Sequence, residues 1–441
     1  MVTSPERGAG ADFAVDDLHG AVGDPLLSAM NFLNEIAGRH PEALSLAAGT
    51  PHEGFYDVED VHRCLRLFCD HLRTDRGFTE EQVRRTLLQY GRTKGIVHEL
   101  IAAHLATDES IAVDPESIVI TAGCQEALFL TLRTLRRDER DVLLAVTPAY
   151  VGATGAARLL DMAVLPVADG PRGIDLDDLT RQIREARAAG LRPRACYLVP
   201  DFANPTGIRM PVSLRGELLD LARREDILLL EDNPYSLFPL DGERLPTLKA
   251  LDTHRRVVYL GSLSKTIFPG ARVGYVVADQ LVEESAGGGP VYLADHVARA
   301  KSMVTVNTSP IAQAVVGGRL LEYGGSLRGA NERESEVYRR NLTLMLDGLA
   351  RRFPPPSPVT WTTPEGGFFV VVQVPFDVTD EVLERSARDH RVLWTPLRHF
   401  YSGTEPLRRL RLSCSGLAPE LIDEALDRFA AFVAACAPAG A

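Results

Sequence analysis

Lysine is nearly missing from this 441-residue chain. It stands only at positions 94, 249, 265 and 301, so 44 of the 48 basic residues are arginine. Where a plain surface cation is wanted the chain uses Arg, and each retained Lys raises the question of its task. Cysteine is sparse as well. The six thiols (Cys64, Cys69, Cys124, Cys196, Cys414, Cys436) form no Cys-x-x-Cys and no Cys/His group of zinc spacing. That pattern argues against a disulfide framework and against a metal site. No run of 18 apolar residues occurs, so no membrane span is expected. Positive charge is short overall: the formal net charge of −12 argues against a nucleic-acid surface and against anionic membranes. The opening stretch "MVTSPERGAGADFAVDDLHG" has no apolar signal-peptide region and reads as a loose polar leader. A cytoplasmic protein is expected.

What is present is an ordinary globular composition, 45% hydrophobic and 24% charged, over a length that suits two domains or one elaborated α/β domain. Seven short apolar runs stand out: "SIVIT" (117–121), "VLLAV" (142–146), "MAVLP" (162–166), "ACYLV" (195–199), "ILLLE" (227–231), "VVYL" (257–260) and "GYVV" (274–277). Helical segments near 125–137, 176–189 and 212–225 lie between them. Short apolar strands joined by helical crossovers predict a mostly parallel seven-stranded sheet covered on both faces. In such a sheet the ligand lies beyond the carboxyl ends of the strands. After a helix near 328–351 and the breaker "RRFPPPSP", the tail reads as a small α+β unit. Its elements are "GGFFVVVQV" (366–374), a helix near 378–390, "RVLW", "LRRLRLSCS" (407–415) and a final helix near 418–435. The expected organisation is a leader at 1–23, an N-terminal segment at 24–60 joining the small domain, a large domain at 61–327 and the small domain at 328–441.

Five loops that follow the apolar runs carry the chemistry. "GSLSKTIFPGAR" (261–272) sets Lys265 among Ser262, Ser264 and Arg272. A Schiff-base lysine must lose its proton, which nearby cations and low dielectric promote, while hydroxyls and a planar guanidinium suit a phosphate monoester. The alternative is a surface loop with a solvated Lys. "LLLEDNPYS" (228–236) puts Asp232 directly past a buried strand and Tyr235 three residues on. A carboxylate there can hold a pyridinium nitrogen protonated, or it can merely make the turn before Pro234. In "VPDFANPTG" (199–207), Asn204 is either a turn residue or an amide donor. "TAGCQEAL" (121–128) opens a helix whose free N–H groups suit a phosphate, with Gln125 as a further donor. Tyr150, in "VTPAY" (146–150), is either a stacking ring or a packing aromatic.

Together the five loops make the chain resemble a fold-type I pyridoxal 5′-phosphate (PLP) enzyme of the class I/II aminotransferase family from about residue 24 to the end. "NPTG", "EDNPY" and "SLSKTIFPGARVGY" carry the match; "SLAAGTP", "LLQYGRTKG" and "LRLSCS" resemble the kynurenine/2-aminoadipate branch. The resemblance implies PLP as cofactor, with Lys265 as its covalent anchor and acid/base. Asp232 would face the pyridine nitrogen, Asn204 and Tyr235 the phenolic oxygen, and Tyr150 would stack on the ring. Lys265, Asp232 and Tyr150 thus form the implied catalytic group. Ser262, Ser264, Gln125 and Arg272 would hold phosphate, and Tyr90 would reach the phosphate of a neighbouring subunit, which implies a homodimer. Arg411 falls where the family binds the substrate carboxylate by a two-pronged contact, with Asn204 and Gly49 beside it. Cys124 stands where relatives often carry a phosphate-binding Ser, and Asn233 where many have a second Asp.

Transamination between an L-amino acid and a 2-oxo acid is the implied reaction. The fold also hosts effector-binding domains of transcription regulators, but the −12 charge and the lack of a basic helix-turn-helix pattern speak against DNA binding. The segment holding Asn31, Phe32, His52, Phe55 and Tyr56 would form one wall of the substrate pocket, with aromatic faces and polar handles. This segment resembles the phenylglycine-forming aminotransferases of glycopeptide antibiotic pathways. The implied pair is a tyrosine-like donor and an aryl 2-oxo acid such as 3,5-dihydroxyphenylglyoxylate. A general aromatic or 2-aminoadipate/kynurenine aminotransferase is the alternative.

Overall fold

A computed structural model of the chain describes residues 12–24, 27, 32, 35–284, 287, 289–401 and 407–437. The N-terminal segment contributes a two-residue strand, β1 (Leu44–Ser45). The large sheet is then built from β2 (Ile118–Thr121), β3 (Asp141–Thr147), β4 (Ala163–Gly170), β5 (Gly173–Ile174), β6 (Arg192–Leu198), β7 (Leu228–Asp232), β8 (Val257–Ser262) and β9 (Gly274–Val277). Their spatial order is β2-β9-β8-β7-β6-β3-β4-β5. All seven predicted runs are strands of this sheet. The expectation of seven is corrected by one: β5, two residues long, turns back antiparallel on the end of β4 and extends the edge. A two-residue strand leaves no periodic signal to read.

Strands β4, β3, β6, β7 and β8 pair in parallel, while β9 runs antiparallel to both β8 and β2. Hence β2 points the same way as β8, and six carboxyl ends (of β2, β3, β4, β6, β7 and β8) emerge at one edge. The central strands are buried on both faces because helices such as Cys124–Leu135, Leu176–Ala188 and Val212–Arg224 cover the sheet on its two sides. This explains why their sequences are continuous apolar runs rather than alternating ones. Beyond them, β10 (Leu281–Val282) and β11 (Val291–Tyr292) form a small hairpin.

The second unit carries β12 (Thr360–Trp361), β13 (Phe369–Val378), β14 (Val392–Leu393), β15 (Thr395–Pro396) and β16 (Leu407–Ser413), of which β12-β13-β16-β15 make an antiparallel sheet. Helices Glu332–Arg352 and Pro419–Cys436 close a core that includes Leu342, Met345, Trp394, Phe429 and Phe432. The predicted helix near 378–390 is shorter than expected. Asp380–Arg385 is α-helical and widens into a π turn over Ser386–His390. The N-terminal segment belongs to this core: β1 pairs in parallel with β14, and Ile36 and Leu46 are buried there. This packing brings the loop after β1 beside β16, across the cleft from the sheet's carboxyl edge.

Candidate active site

Four of the five loops gather around Lys265. Burial first, and then the neighbouring Arg272 and Arg411, pull its ammonium from the usual lysine range down to about 8, while Asp232 opposes them. The other three lysines sit in ion pairs: Lys94 with Asp295 at 2.7 Å, Lys249 with Asp279 at 2.6 Å and Lys301 with Glu126 at 2.8 Å. Lys265, brought to about 8, keeps a reactive fraction of neutral amine near physiological pH.

Asp232 ends β7 and is buried. Its carboxylate accepts a 2.7 Å hydrogen bond from the Tyr197 hydroxyl and a 3.5 Å contact from the Cys124 thiol. Burial raises its carboxyl to about 6, with these two donors and Lys265 opposing the rise. The role of Tyr197 is absent from the sequence reading, yet a signal exists. Tyr197 pairs with Leu230, so it lies on the same sheet face as Asp232 two residues on, and a buried phenol needs a partner. Cys124 differs from expectation: its thiol is turned to Asp232. A sulfhydryl is a weak donor, and the carboxylate is the strong acceptor within reach.

At the other end, Arg272 caps a 3-10 turn in the left-handed region, at φ 48°. Such backbone is strained for a non-glycine residue, and it aims the guanidinium at the start of helix Cys124–Leu135. Its Nη1 donates to the Ser264 hydroxyl over 3.4 Å. A Cβ on Gly123 would lie 2.5 Å from Arg272 Nη2, and Gly123 itself holds φ +81°, so only glycine fits there. The Ser262 hydroxyl accepts from the Ser264 amide at 3.4 Å. The Arg272 guanidinium, these hydroxyls and a helix N-terminus converge in a cradle of anion-binding chemistry. Gln125, in contrast, has an acceptor of its own: its amide donates to the Gly152 carbonyl at 2.7 Å and ties two helices together.

Arg411, in β16, is 6% exposed and is held from several sides. It donates to the Asn204 side-chain oxygen, to the Ala47 carbonyl at 2.6 Å and to Thr395 Oγ1 at 3.1 Å. Its guanidinium lies 4.2 Å from the ring centre of Phe369 and 5.1 Å from that of Phe400. Burial lowers it to about 10, so it stays charged at neutral pH. Ala47, Thr395, Phe369 and Phe400 are further residues that no motif announced. Because Arg411 occupies the oxygen of Asn204, the Asn204 NH₂ is the end left free for another acceptor. A Cβ on Gly49 would meet the Phe369 ring at 2.6 Å, so glycine lets that ring lie under Arg411. Tyr235 is buried edge-on against Phe368 and Phe369, which pushes its phenol well above the usual range. Tyr150 caps helix Val151–Leu159, and burial raises it to about 12.

The aromatic residues of the expected wall have ring partners of their own. Phe32 packs 6.3 Å from the His399 ring, under Arg39, against the small core. Phe55 meets Tyr338 edge-on, and Tyr56 faces Phe268. These two line a separate cavity with Val61 and Glu334. Asn31 lies outside the described residues. Tyr90 is 86% exposed.

The family model "Aminotransferase class I and II" matches residues 70–429. The chain belongs to this aminotransferase family. It is 54% identical over 435 residues, 99% of this chain and 98% of the relative, to the (S)-3,5-dihydroxyphenylglycine transaminase of Amycolatopsis orientalis. Among solved structures, it is similar to the multiple substrate aminotransferase from Thermococcus profundus (TM-score 0.77, 29% identity, 92% of this chain and 95% of that one). It is also similar to the α-aminoadipate aminotransferase LysN from Thermus thermophilus, solved with N-(5′-phosphopyridoxyl)-L-leucine (TM-score 0.75, 29% identity, 94% and 98% covered). The aminotransferase therefore has the fold-type I architecture and uses PLP. The site fits that cofactor: an anion cradle lies at one end, a buried carboxylate with its own donors at the other, and a depressed lysine between them.

Proposed function

We propose that this aminotransferase moves the amino group between a tyrosine-like L-amino acid and an aryl 2-oxo acid such as 3,5-dihydroxyphenylglyoxylate, in the making of a non-proteinogenic amino acid for an antibiotic. The observation that carries this reading is the 54% identity, over 99% of the chain, with a relative named for that arylglycine. The buried Arg411 supports it. Its side chain is fixed by Asn204, Ala47 and Thr395 before any ligand arrives, so little ordering entropy opposes capture of a carboxylate.

In this reading Lys265 anchors the cofactor, and the chain's residues divide the remaining work. Bound PLP supplies the electron sink for the bond pair released at the substrate Cα. Asp232, kept ionised by Tyr197 and Cys124, holds the proton on the ring nitrogen. Asn204 and Tyr235 would donate to the phenolic oxygen, Tyr150 would cover the ring, and Arg272 with Ser262 and Ser264 would hold the phosphate. Gln125 and Cys124 act at one remove, by fixing the helix N-terminus and Asp232. Lys265, lowered to about 8, takes the substrate Cα proton and returns it on the far side of the transfer. The working unit is a cytoplasmic homodimer in which Tyr90 reaches the partner's phosphate. Leu88, Tyr90, Met303 and Ile311 are exposed apolar side chains.

Single-turnover spectra test the substrate. The 3,5-dihydroxyphenylglycine and L-tyrosine half-reactions should convert bound PLP to its amine form rapidly, and an arylglyoxylate should reverse it. Rapid reaction with 2-aminoadipate alone would instead favour the 2-aminoadipate alternative.

A further inference from the structure

We propose that Lys301 and Glu126 are positioning residues for the cofactor phosphate. The Glu126 carboxylate pins the loop that opens the anion cradle, and the Lys301 ammonium cancels the charge this carboxylate would turn against the phosphate. The proposal rests on the reading of the Arg272 cradle as the phosphate site, and it adds the supports behind that cradle.

Glu126 lies in the first turn of helix Cys124–Leu135 and reaches back to the loop before it. Its Oε2 accepts from the Ala122 amide at 2.6 Å and from Lys301 Nζ at 2.8 Å. Its Oε1 accepts from the Thr305 hydroxyl at 2.6 Å, and that hydroxyl accepts in turn from Lys301 Nζ at 2.7 Å. The three side chains close a ring of hydrogen bonds. Lys301 is fully buried and the Glu126 side chain is 9% exposed, so solvent ions screen this pair little. On the opposite side the same loop is confined by Arg272, against Gly123, and by Gly274, where a Cβ would lie 2.5 Å from the Cys124 nitrogen. The loop is held between these two walls.

Charge decides what the pair does. A carboxylate is favoured at a helix N-terminus, and a cation at a C-terminus such as that of helix Leu293–Val304, whose last turn carries Lys301. Yet the free N–H groups at the start of helix Cys124–Leu135 are also those a phosphate would use. An uncompensated carboxylate in the first turn would repel the phosphate through a poorly screened medium. With Lys301 at 2.8 Å the charges cancel, and the loop keeps its support without losing its attraction for an anion. A loop pinned for stability alone would need the hydrogen bonds but not the cation. Lysine suits the task, because its compact ammonium donates to Glu126 and Thr305 together.

The test compares binding of PLP and of pyridoxal, which lacks the phosphate, to the cofactor-free protein, read from visible absorbance. Lys301→Met should weaken PLP at least about 10-fold while pyridoxal is held as before. Adding Glu126→Gln to that variant removes the stranded charge but keeps an acceptor for the Ala122 amide, and it should restore most of the PLP affinity. If Lys301→Met fails to fold, Lys301→Gln, which keeps a donor toward Glu126, is read in the same way. An unchanged PLP affinity, an equal loss of PLP and pyridoxal, or a loss that Glu126→Gln does not recover overturns the proposal. Arg272→Gln is the control for the cradle and should also lower PLP against pyridoxal. If it does not, the phosphate lies elsewhere, and the cradle falls together with its supports. A fall with Arg272→Gln but none with Lys301→Met leaves the cradle standing and removes Lys301 and Glu126 from it.

Discussion

At the scale of single residues, the site depends on ionisable groups moved from their usual ranges by burial and by each other. Lys265 is lowered to about 8, first by burial and then by two cations, so its reactive amine grows as pH rises through that value. Recombination of the cofactor-free protein with PLP should accelerate with pH around a midpoint near 8. Arg411→Ala, which removes one opposing cation, should move that midpoint upward; a wild-type midpoint in the ordinary lysine range would contradict the account. Tyr197 works on the other partner. Its hydroxyl favours the ionised form of Asp232, and a hydrogen bond to a charged group contributes roughly 1.5–3 kcal/mol. Tyr197→Phe should therefore raise the Asp232 carboxyl further, by about one pKa unit or more. The measurable outcome is faster release of PLP and a shifted pH dependence of its spectrum. An unchanged release rate would leave Tyr197 as packing only.

At the scale of elements, what matters is how strand ends and a helix start are brought together. Helix Cys124–Leu135 presents its first turn to Arg272 because Gly123 has no side chain and holds a positive φ. Gly123→Ala should lower PLP affinity at least about 10-fold, since the added Cβ displaces Arg272 or the turn itself. Gly216→Ala is the control. Gly216 lies in helix Val212–Arg224 with open space about it, so stability should rise by roughly 0.5–1 kcal/mol with the cofactor unaffected. Equal cofactor affinity in the two variants would remove the cradle from the account. The sequence made these strands legible because burial on both faces writes each one as a continuous apolar run, and the motif loops follow directly. It was less informative about the holders of Arg411. Ala47, Phe369 and the pair Thr395 and Phe400 come from three separate stretches, and only the pairing of β1 with β14 and of β15 with β16 brings Ala47 and Thr395 to one guanidinium.

At the scale of the whole molecule, Tyr90 is 86% exposed, and the proposed function has it serve the site of a second copy of the chain. Hybrid dimers test this. Lys265→Ala and Tyr90→Ala subunits, each impaired alone, should regain activity when dissociated and reassociated together. One site of each mixed dimer then carries neither change, so about a quarter of all sites are restored. A mixture as inactive as its components would place Tyr90 outside any shared site. The scarcity of lysine allows the most direct measurement of all. Borohydride reduction of the PLP-loaded protein, followed by peptide mapping across the full chain, should place the pyridoxyl label on Lys265. Label on Lys94, Lys249 or Lys301, each of them held here in an ion pair, would contradict the site proposed for this aminotransferase.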